Sequence, residues 1–462
     1  MAAAGPQRAT GALVTYAGVS MFLLAVLTIT VSVCMAQRRG RMRRTIMCLS
    51  LISGAGHVGV GSAAAQWAPD TLVLENVVRM ARDANPKLAA ARLRADAASE
   101  RVTPAGTLPD PQLTFGLMNR PVDGFGTTEP MTMNQIQLMQ RFPWPGKLAF
   151  SEERARSLAL AGALEADNVE VQLVSRVKEQ YYELAYMDRA IAIMERTRDL
   201  LRDFFEVSRA RYEVGDGLQQ DVLRAQVAVA GMREDIIVME QQRVAMAARL
   251  NALLGRAATA SVGALELPES EGPLPEVDAL LALAVAGRPA LLASQERARA
   301  AQWGYRAARR QLYPDFTVSL GYGQRPQFGD MATLMIGVSV PLWAGARQLP
   351  LRREMAAMQA SEDAMARDLY NETFAELTAL RAQAMRAREL SRLYVTSILP
   401  QARAAVESAL SAYRVGQLEY GTLVENEMTV NRYEVELVRL TAQYHQAVAR
   451  INALLGSTEE QP

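Results

Sequence analysis

The side chains with the most distinctive chemistry in this chain are thioethers. Met118, Met131, Met133, Met139 and Met335 fall in short segments that alternate polar and apolar residues. Counting by twos puts all five on the polar face, as a strand period of two requires. Thioethers are soft donors suited to Cu(I) or Ag(I). Methionine is also a general filler of irregular space, and 17 of the 22 lie beyond residue 65. Little else invites chemistry. Cys34, Cys48 and His57 precede residue 66, which leaves His445 as the one histidine beyond it. Zinc fingers, iron–sulfur clusters and thiol catalysis are thereby excluded on ligand count for the rest of the chain. No nucleophile–base pair, phosphate loop or metal-ligand cluster stands out, so neither a cofactor nor a catalysed reaction is expected.

Those segments belong to a duplication. Tyr212-Glu213-Val214-Gly215 superposes on Tyr413-Arg414-Val415-Gly416, and the register continues without a gap to Asn251-Ala252-Leu253-Leu254-Gly255 over Asn452-Ala453-Leu454-Leu455-Gly456. Upstream, Leu108-Pro109-Asp110-Pro111 meets Gln311-Leu312-Tyr313-Pro314-Asp315 at nearly the same offset. A unit this long is a duplicated supersecondary block rather than a short solenoid module. The spacing predicts a first repeat over 66–260 and a second over 276–462, joined by a linker over 261–275. Each holds a helix, a β-hairpin (108–142; 314–342), a long helix (146–212; 346–413) and a return helix (218–255; 418–456).

The hairpin segments set Leu113, Phe115 and Leu117 against Gln112, Thr114 and Gly116, and Leu334, Ile336 and Val338 against Thr333, Met335 and Gly337. Strict alternation over roughly 9–11 residues is the length a tilted outer-membrane strand needs. An ordinary two-layer sheet packed on helices fits the same pattern. Turn formers Pro121, Gly124 and Gly126, and Pro326 and Gly329, close the loops. Four strands cannot close a barrel, and open edges are not tolerated in lipid; membrane strands would therefore have to be shared among protomers. Gly146 to Tyr212 contains no proline and one interior glycine, and at 1.5 Å per residue it would reach about 100 Å. Residues Leu74–Thr103 and Val277–Gln311 read as two further helices. A plain coiled coil accounts for the helices alone.

Charge is informative once divided. Arg8, Arg38, Arg39, Arg41, Arg43 and Arg44 precede residue 66 with no acid among them, and without these six the 50 basic residues fall to 44 against 49 acids. No basic patch interleaves with aromatics, so nucleic acid is not an expected partner. Residues 42–65 read as a secretory signal, from Met42-Arg43-Arg44 to a small-residue site at Ala63-Ala64-Ala65. Residues 1–41 contain an uncharged stretch from Leu13 to Ala36, long enough to span a bilayer; they read as an upstream extension or an extra anchor.

Taken in order, the pieces resemble the TolC-like outer-membrane efflux proteins over residues 70–456. The resemblance is carried by Asn85-Pro86, Leu108-Pro109-Asp110-Pro111, Arg141-Phe142-Pro143-Trp144-Pro145-Gly146-Lys147, Tyr313-Pro314, Val340-Pro341-Leu342-Trp343 and the paired Tyr-x-Val-Gly turns. It implies a mainly α protein with a transmembrane β-barrel part. Three copies share a twelve-stranded β-barrel continuous with a periplasmic α-helical barrel, working as the outer-membrane channel of a tripartite efflux pump. It further implies outer-membrane lipid, a periplasmic adaptor and an inner-membrane pump as partners, and location in the Gram-negative outer membrane. The polar strand face then faces the lumen. By the same resemblance Asp221 and Glu425, with Gln220 and Thr422, form a pore aperture, and Val214, Gly215, Gly217, Leu218, Val415, Gly416, Gln417 and Leu418 form the adaptor-contacting tips. Asp221 and Glu425 equally suit the starts of helices. The family's basic latch residue has no counterpart, since Leu418 stands there and Thr422 replaces an acid. The strand-exit motif resembles that of heavy-metal members, so copper or silver cations are one expected cargo and small organic compounds the other. A type I protein-secretion duct and a structural periplasmic coiled coil are the alternatives.

Overall fold

The computed structural model describes residues 73–122, 129–269, 272 and 274–458. Residues 42–65, with their secretory-signal pattern, residues 1–41, and Gly124 and Gly126 lie outside the described residues. The first helical stretch is two helices, α1 (Leu74–Ala84) and α2 (Pro86–Ser99), followed by the short α3 (Val102–Gly106). The break falls at Asn85-Pro86, because proline removes an N–H and disfavours a helical residue before it. Asn85 is extended, and its side chain accepts from the N–H groups of Lys87 (2.9 Å) and Leu88 (3.2 Å) to cap α2. Its amide also donates to the Leu253 carbonyl at 2.9 Å, so one residue ends a helix, starts another and ties both to a third.

Strands β1 (Gln112–Met118) and β2 (Met133–Phe142) lead into α4 (Lys147–Glu213), an unbroken helix of 67 residues and therefore about 100 Å. A Schellman turn reverses the chain into α5 (Gln219–Leu253). The second repeat supplies α6 (Val277–Gly287), α7 (Pro289–Arg310), β3 (Asp315–Gln324) and β4 (Met331–Ser339). Its second long helix is α8 (Gln348–Leu393), a π-helical turn over Tyr394–Ile398, then α9 (Leu399–Arg414). The return helix is α10 (Tyr420–Leu455). The pair α6 and α7 is bent by 53° at Arg288-Pro289, where a single helix is the sequence expectation. Pro400 is accommodated differently: the wider π turn just before it makes room for a ring that would clash with a carbonyl one turn back.

The two repeats do not fold apart. All described residues fall in one compact unit, and α4 of the first repeat packs along α5, α10 and the second repeat's α7. The segment expected as a linker is a packed strap over its first part. Val262, Leu265 and Leu267 are buried in a core with Val177, Tyr181 and Tyr182 of α4 and Leu250 of α5. The Glu266 N–H donates to the Tyr181 hydroxyl at 3.2 Å, and Arg243 donates to the Val262 carbonyl at 3.3 Å.

The strands form one antiparallel sheet in the order β1-β2-β3-β4. It is joined to the helices at a tight junction. Lys147, 7% exposed, donates to the Asp315 carboxylate at 2.7 Å and the Tyr313 carbonyl at 2.9 Å. The Trp144 N–H donates to the same carboxylate at 2.9 Å, and its indole stacks on Tyr313. Gly146 has φ +91° there, a conformation that suits glycine.

Candidate functional site

The sheet carries the sequence alternation into two chemically distinct faces. On one, the register aligns Leu113, Leu138, Leu320 and Leu334 in one row across all four strands, and Phe115, Ile136, Tyr322 and Ala332 in the next. On the edge strands this face is open: Phe115 is 70% and Ile336 71% exposed. The other face holds the rows Thr114, Gln137, Gly321, Thr333 and Gln112, Met139, Ser319, Met335. Ser319 of β3 is buried on that side although nothing but its own sheet neighbours flanks it in the register. A sheet apolar and bare on one face, polar on the other, with β1 and β4 both unpaired at their outer edges, cannot be finished by a single chain in lipid.

At the opposite end of the helices, each hairpin turns on a left-handed glycine. Gly215 has φ +85° and Gly416 φ +74°. The Gly215 and Asp216 N–H groups donate to the Tyr212 and Arg211 carbonyls at 3.0 and 2.9 Å. Gly416 and Gln417 repeat this on Tyr413 and Ala412 at 3.1 and 2.9 Å. Both are Schellman closures. Gly217 is needed for a separate reason, since a Cβ there would lie 2.9 Å from the Tyr212 nitrogen. Beyond the turns the repeats differ. Tyr212 is 46% exposed whereas Tyr413 is buried, edge-on to the buried Tyr420 and 3.2 Å from the Ser208 hydroxyl. Burial, then the neighbouring Tyr413, pushes the Tyr420 phenol far above its ordinary value.

Arg211, in the last turn of α4, joins the two hairpins. Its guanidinium donates to the Tyr413 carbonyl at 2.8 Å and the Asp216 carbonyl at 3.1 Å, and lies 4.9 Å from the Tyr413 ring centre. A cation at two helix C-termini also satisfies both dipoles. The sequence reading misses it. The available signal is a departure from the repeat: the residue aligned with Arg211 is Ala412.

The other sequence-selected residues divide. Val214, Leu218 and Val415 are exposed apolar side chains at the tips, and Gln417 is exposed. Leu418 instead packs against the tip core of Leu201, Phe204, Ala225, Tyr413 and Leu423. Asp221 is in the first turn of α5, half-buried and near Tyr420; Gln220 and Thr422 are exposed. Glu425 is exposed in the second turn of α10, on an open groove of about 750 Å³ shared by Asp235, Gln242 and Arg432. Asp221 is not on that groove. The five methionines behave alike in parity: Met118, Met133, Met139 and Met335 share the polar face, and Met131 precedes β2 by two residues. Met331 joins them there by register, a position the same count by twos finds.

The family model "Outer membrane efflux protein" matches residues 77–256 and 280–457, once for each repeat. The chain belongs to the outer membrane efflux protein family. It is 22% identical over 412 residues to the pyoverdine export outer membrane protein OpmQ of Pseudomonas putida, covering 83% of this chain and 85% of that one. It is 22% identical over 393 residues to the cobalt-zinc-cadmium resistance protein CzcC of Cupriavidus metallidurans, covering 83% and 90%. Its fold matches the crystal structure of CusC with a TM-score of 0.74 at 15% identity, over 86% of this chain and 96% of that one. As an outer membrane efflux protein, the chain is the outer-membrane channel of a tripartite efflux system, located in the outer membrane and extending into the periplasm. Its relatives are channel components rather than enzymes.

Proposed function

We propose that three copies of the chain assemble side by side, β4 of each pairing with β1 of the next, into a twelve-stranded barrel whose polar face lines the conduit. The observation that carries this is the four-stranded sheet itself, with two unpaired edges and an exposed apolar face. Lipid accepts no open edge, and three sheets of four strands give a barrel wide enough for a lumen. The rows of Leu113 and Phe115 then face lipid, and the rows of Thr114 and Gln112 face the lumen. The long helices continue the conduit across the periplasm. At its far end the exposed apolar side chains Val214, Leu218 and Val415 meet the adaptor, in three copies each, with Gly215, Gly217, Gly416 and Gln417 shaping the turns; Leu418 supports them from within. Asp221 and Glu425 supply carboxylates near the aperture, with Gln220 and Thr422 beside them. The chain conducts passively, and the partner pump supplies the energy.

The names of the relatives point to two cargo classes, an organic compound for OpmQ and metal ions for CzcC. Both suit a lumen lined by threonine, glutamine and thioether groups. The test is mass and conductance together. Detergent-extracted protein is expected to be a trimer that forms discrete channels in planar bilayers, and a monodisperse soluble monomer would sink the reading in favour of a structural coiled coil.

A further inference from the structure

The end of the sheet nearest the helices carries a run of stacked rings and guanidinium groups that neither the conduit nor the tip requires. It starts on the apolar face, where Phe316 of β3 lies in register with Phe142 of β2 and Val338 of β4 in the last row. The Trp144 indole stacks on Phe316 with ring centres 5.7 Å apart, and on Tyr313 at 5.2 Å. The Arg310 guanidinium of α7 lies 5.5 Å from the Tyr313 ring centre and 5.7 Å from that of Phe150 in α4. Phe150 stacks in turn on Trp303 at 5.8 Å, and Arg306 covers Trp303 at 4.4 Å. Trp303, Arg306 and Arg310 recur at i, i+3 and i+7, so they share one face of α7. At 1.5 Å per residue they span about 10 Å along the helix.

Charge along α7 is unevenly balanced. Farther from the sheet, Arg297 pairs with Glu165 and Arg299 with Glu296. Toward the sheet, Arg306, Arg309 and Arg310 follow with no acid between Trp303 and Asp315. The Asp315 carboxylate is itself held by Lys147 and the Trp144 N–H. Among the described residues neither Arg306 nor Arg310 forms an ion pair. Arg306 is exposed and Arg310 half-buried. A guanidinium stacked on a ring keeps its N–H edge free, and that edge matches a phosphate. The depth is apt as well. A headgroup layer is about 5–8 Å thick on each side of the hydrocarbon. Arg310 stands beside the last row of the apolar face, and Arg306 follows about 6 Å farther along the helix, so the pair fits within that layer.

We propose that Arg306 and Arg310, backed by Trp303, Phe150 and Tyr313, form a site for the headgroup phosphate of an anionic phospholipid in the periplasm-facing leaflet, one per chain. The proposal rests on the reading that the exposed apolar face of the sheet meets lipid. Continuity with that face and the unbalanced positive charge identify the occupant. The rings take the boundary between headgroup and hydrocarbon, where aromatic side chains with one apolar and one wet side belong, and the guanidinium groups take the phosphate. Preference for a net anionic lipid comes from charge, since a choline beside the phosphate offsets what two arginines gain. No covalent step is involved. Three such sites around the trimer fix the height at which the channel sits in the membrane.

The test counts lipid bound to detergent-purified trimer by native mass spectrometry, with phosphatidylglycerol and phosphatidylcholine of the same acyl chains as probes. Wild type is expected to hold one phosphatidylglycerol per chain in preference to phosphatidylcholine, and the preference should fall as salt is raised. A basic side chain near anionic lipid contributes about fivefold, so Arg306→Gln/Arg310→Gln should lose about 25-fold in phosphatidylglycerol affinity, with phosphatidylcholine little changed. Arg306→Gln alone, at the exposed position, should lose about fivefold, which keeps the test open where the double variant fails to assemble. Arg297→Gln should change nothing, because that side chain is already paired and stands about 14 Å farther from the sheet than Arg306 along the helix. Equal phosphatidylglycerol affinity in wild type and the glutamine variants would overturn the site, as would an equal loss in Arg297→Gln. Displacement of the lipid by excess inorganic phosphate would mark a free-anion site and overturn the lipid assignment. A trimer that retains both lipids alike refutes the site and leaves the lipid contact of the sheet standing; a soluble monomer that retains neither refutes both.

Discussion

Removing the Arg211 side chain should loosen the periplasmic end of the channel. The guanidinium makes a half-buried charged hydrogen bond to the Tyr413 carbonyl at 2.8 Å, a more exposed one to Asp216 at 3.1 Å, and a cation–π contact with Tyr413. A hydrogen bond from a charged donor contributes about 1.5–3 kcal/mol, and an exposed cation–π contact about 0.5–1 kcal/mol. Water competes at this partly open site, so the lower ends apply and Arg211→Ala should cost about 2 kcal/mol of docking between the hairpins. That is about 30-fold in the equilibrium between joined and separated tips. The assay is single-channel recording in planar bilayers, where the variant should show open probability raised by about that factor, up to saturation. Arg211→Lys keeps the charge but not the planar fork, and should fall between the two. Trimer stability should be little altered, because the contact joins two hairpins of the same chain far from the sheet. Unchanged open probability in Arg211→Ala, with an intact trimer, would refute the claim that this side chain holds the tip together.

Two further outcomes follow from charge. Asp221→Asn combined with Glu425→Gln should lower the cation preference of single channels and weaken block by multivalent cations, most at low salt where screening beyond about 10 Å is relaxed; loss of trimer stability with selectivity unaltered would mark both as ordinary helix-start acids. Glu427 of α10 is buried beside Arg196, Thr197 and Leu200 of α4 and Arg403 and Val406 of α9, and burial followed by the Glu434 carboxylate raises its proton affinity. The folded state then binds the proton more tightly than the unfolded chain, so this stabilising contribution is full below the ordinary value near 4.5 and is lost as pH rises through the raised folded value. Glu427→Gln should therefore melt a few degrees higher than wild type at pH 7.5 (an effect on the order of 1 kcal/mol), and the gap should close at pH 4; circular dichroism melts with a constant gap at both pH values would refute the linkage.

The fold was legible where pattern is periodic, and less so where single residues act through distant partners. Alternation assigned both faces of β1 to β4 before any register was known, because a strand's period fixes side independently of pairing. The duplicated Tyr-x-Val-Gly turns were equally plain, since only a left-handed residue lets both hairpins close in the same way. The breaks at Asn85-Pro86 and Arg288-Pro289 carry a proline signal, yet the apolar spacing runs on across them and favours continuous helices. The strap over Val262, Leu265 and Leu267 reads as a linker in the sequence because its apolar residues keep no regular period. Arg211 was invisible for another reason. Nothing local marks an arginine that serves a carbonyl some 200 residues away, and only its mismatch with Ala412 in the duplicate sets it apart. Leu418 shows the reverse, a tip residue by position that the tip core draws inward.

The two unpaired edges of the sheet bear on inheritance as well as architecture. If every finished barrel needs a β1 and a β4 edge from each of three copies, one defective edge spoils the work of two sound subunits. A cell making normal and edge-blocked chains in equal amount, mixed at random, would complete only about one-eighth of its barrels from normal chains alone. A proline placed in the outer hydrogen-bonding row of β1 or β4 should therefore act as a dominant lesion, whereas a damaged thioether or carboxylate inside the conduit should be diluted by its neighbours and behave as recessive.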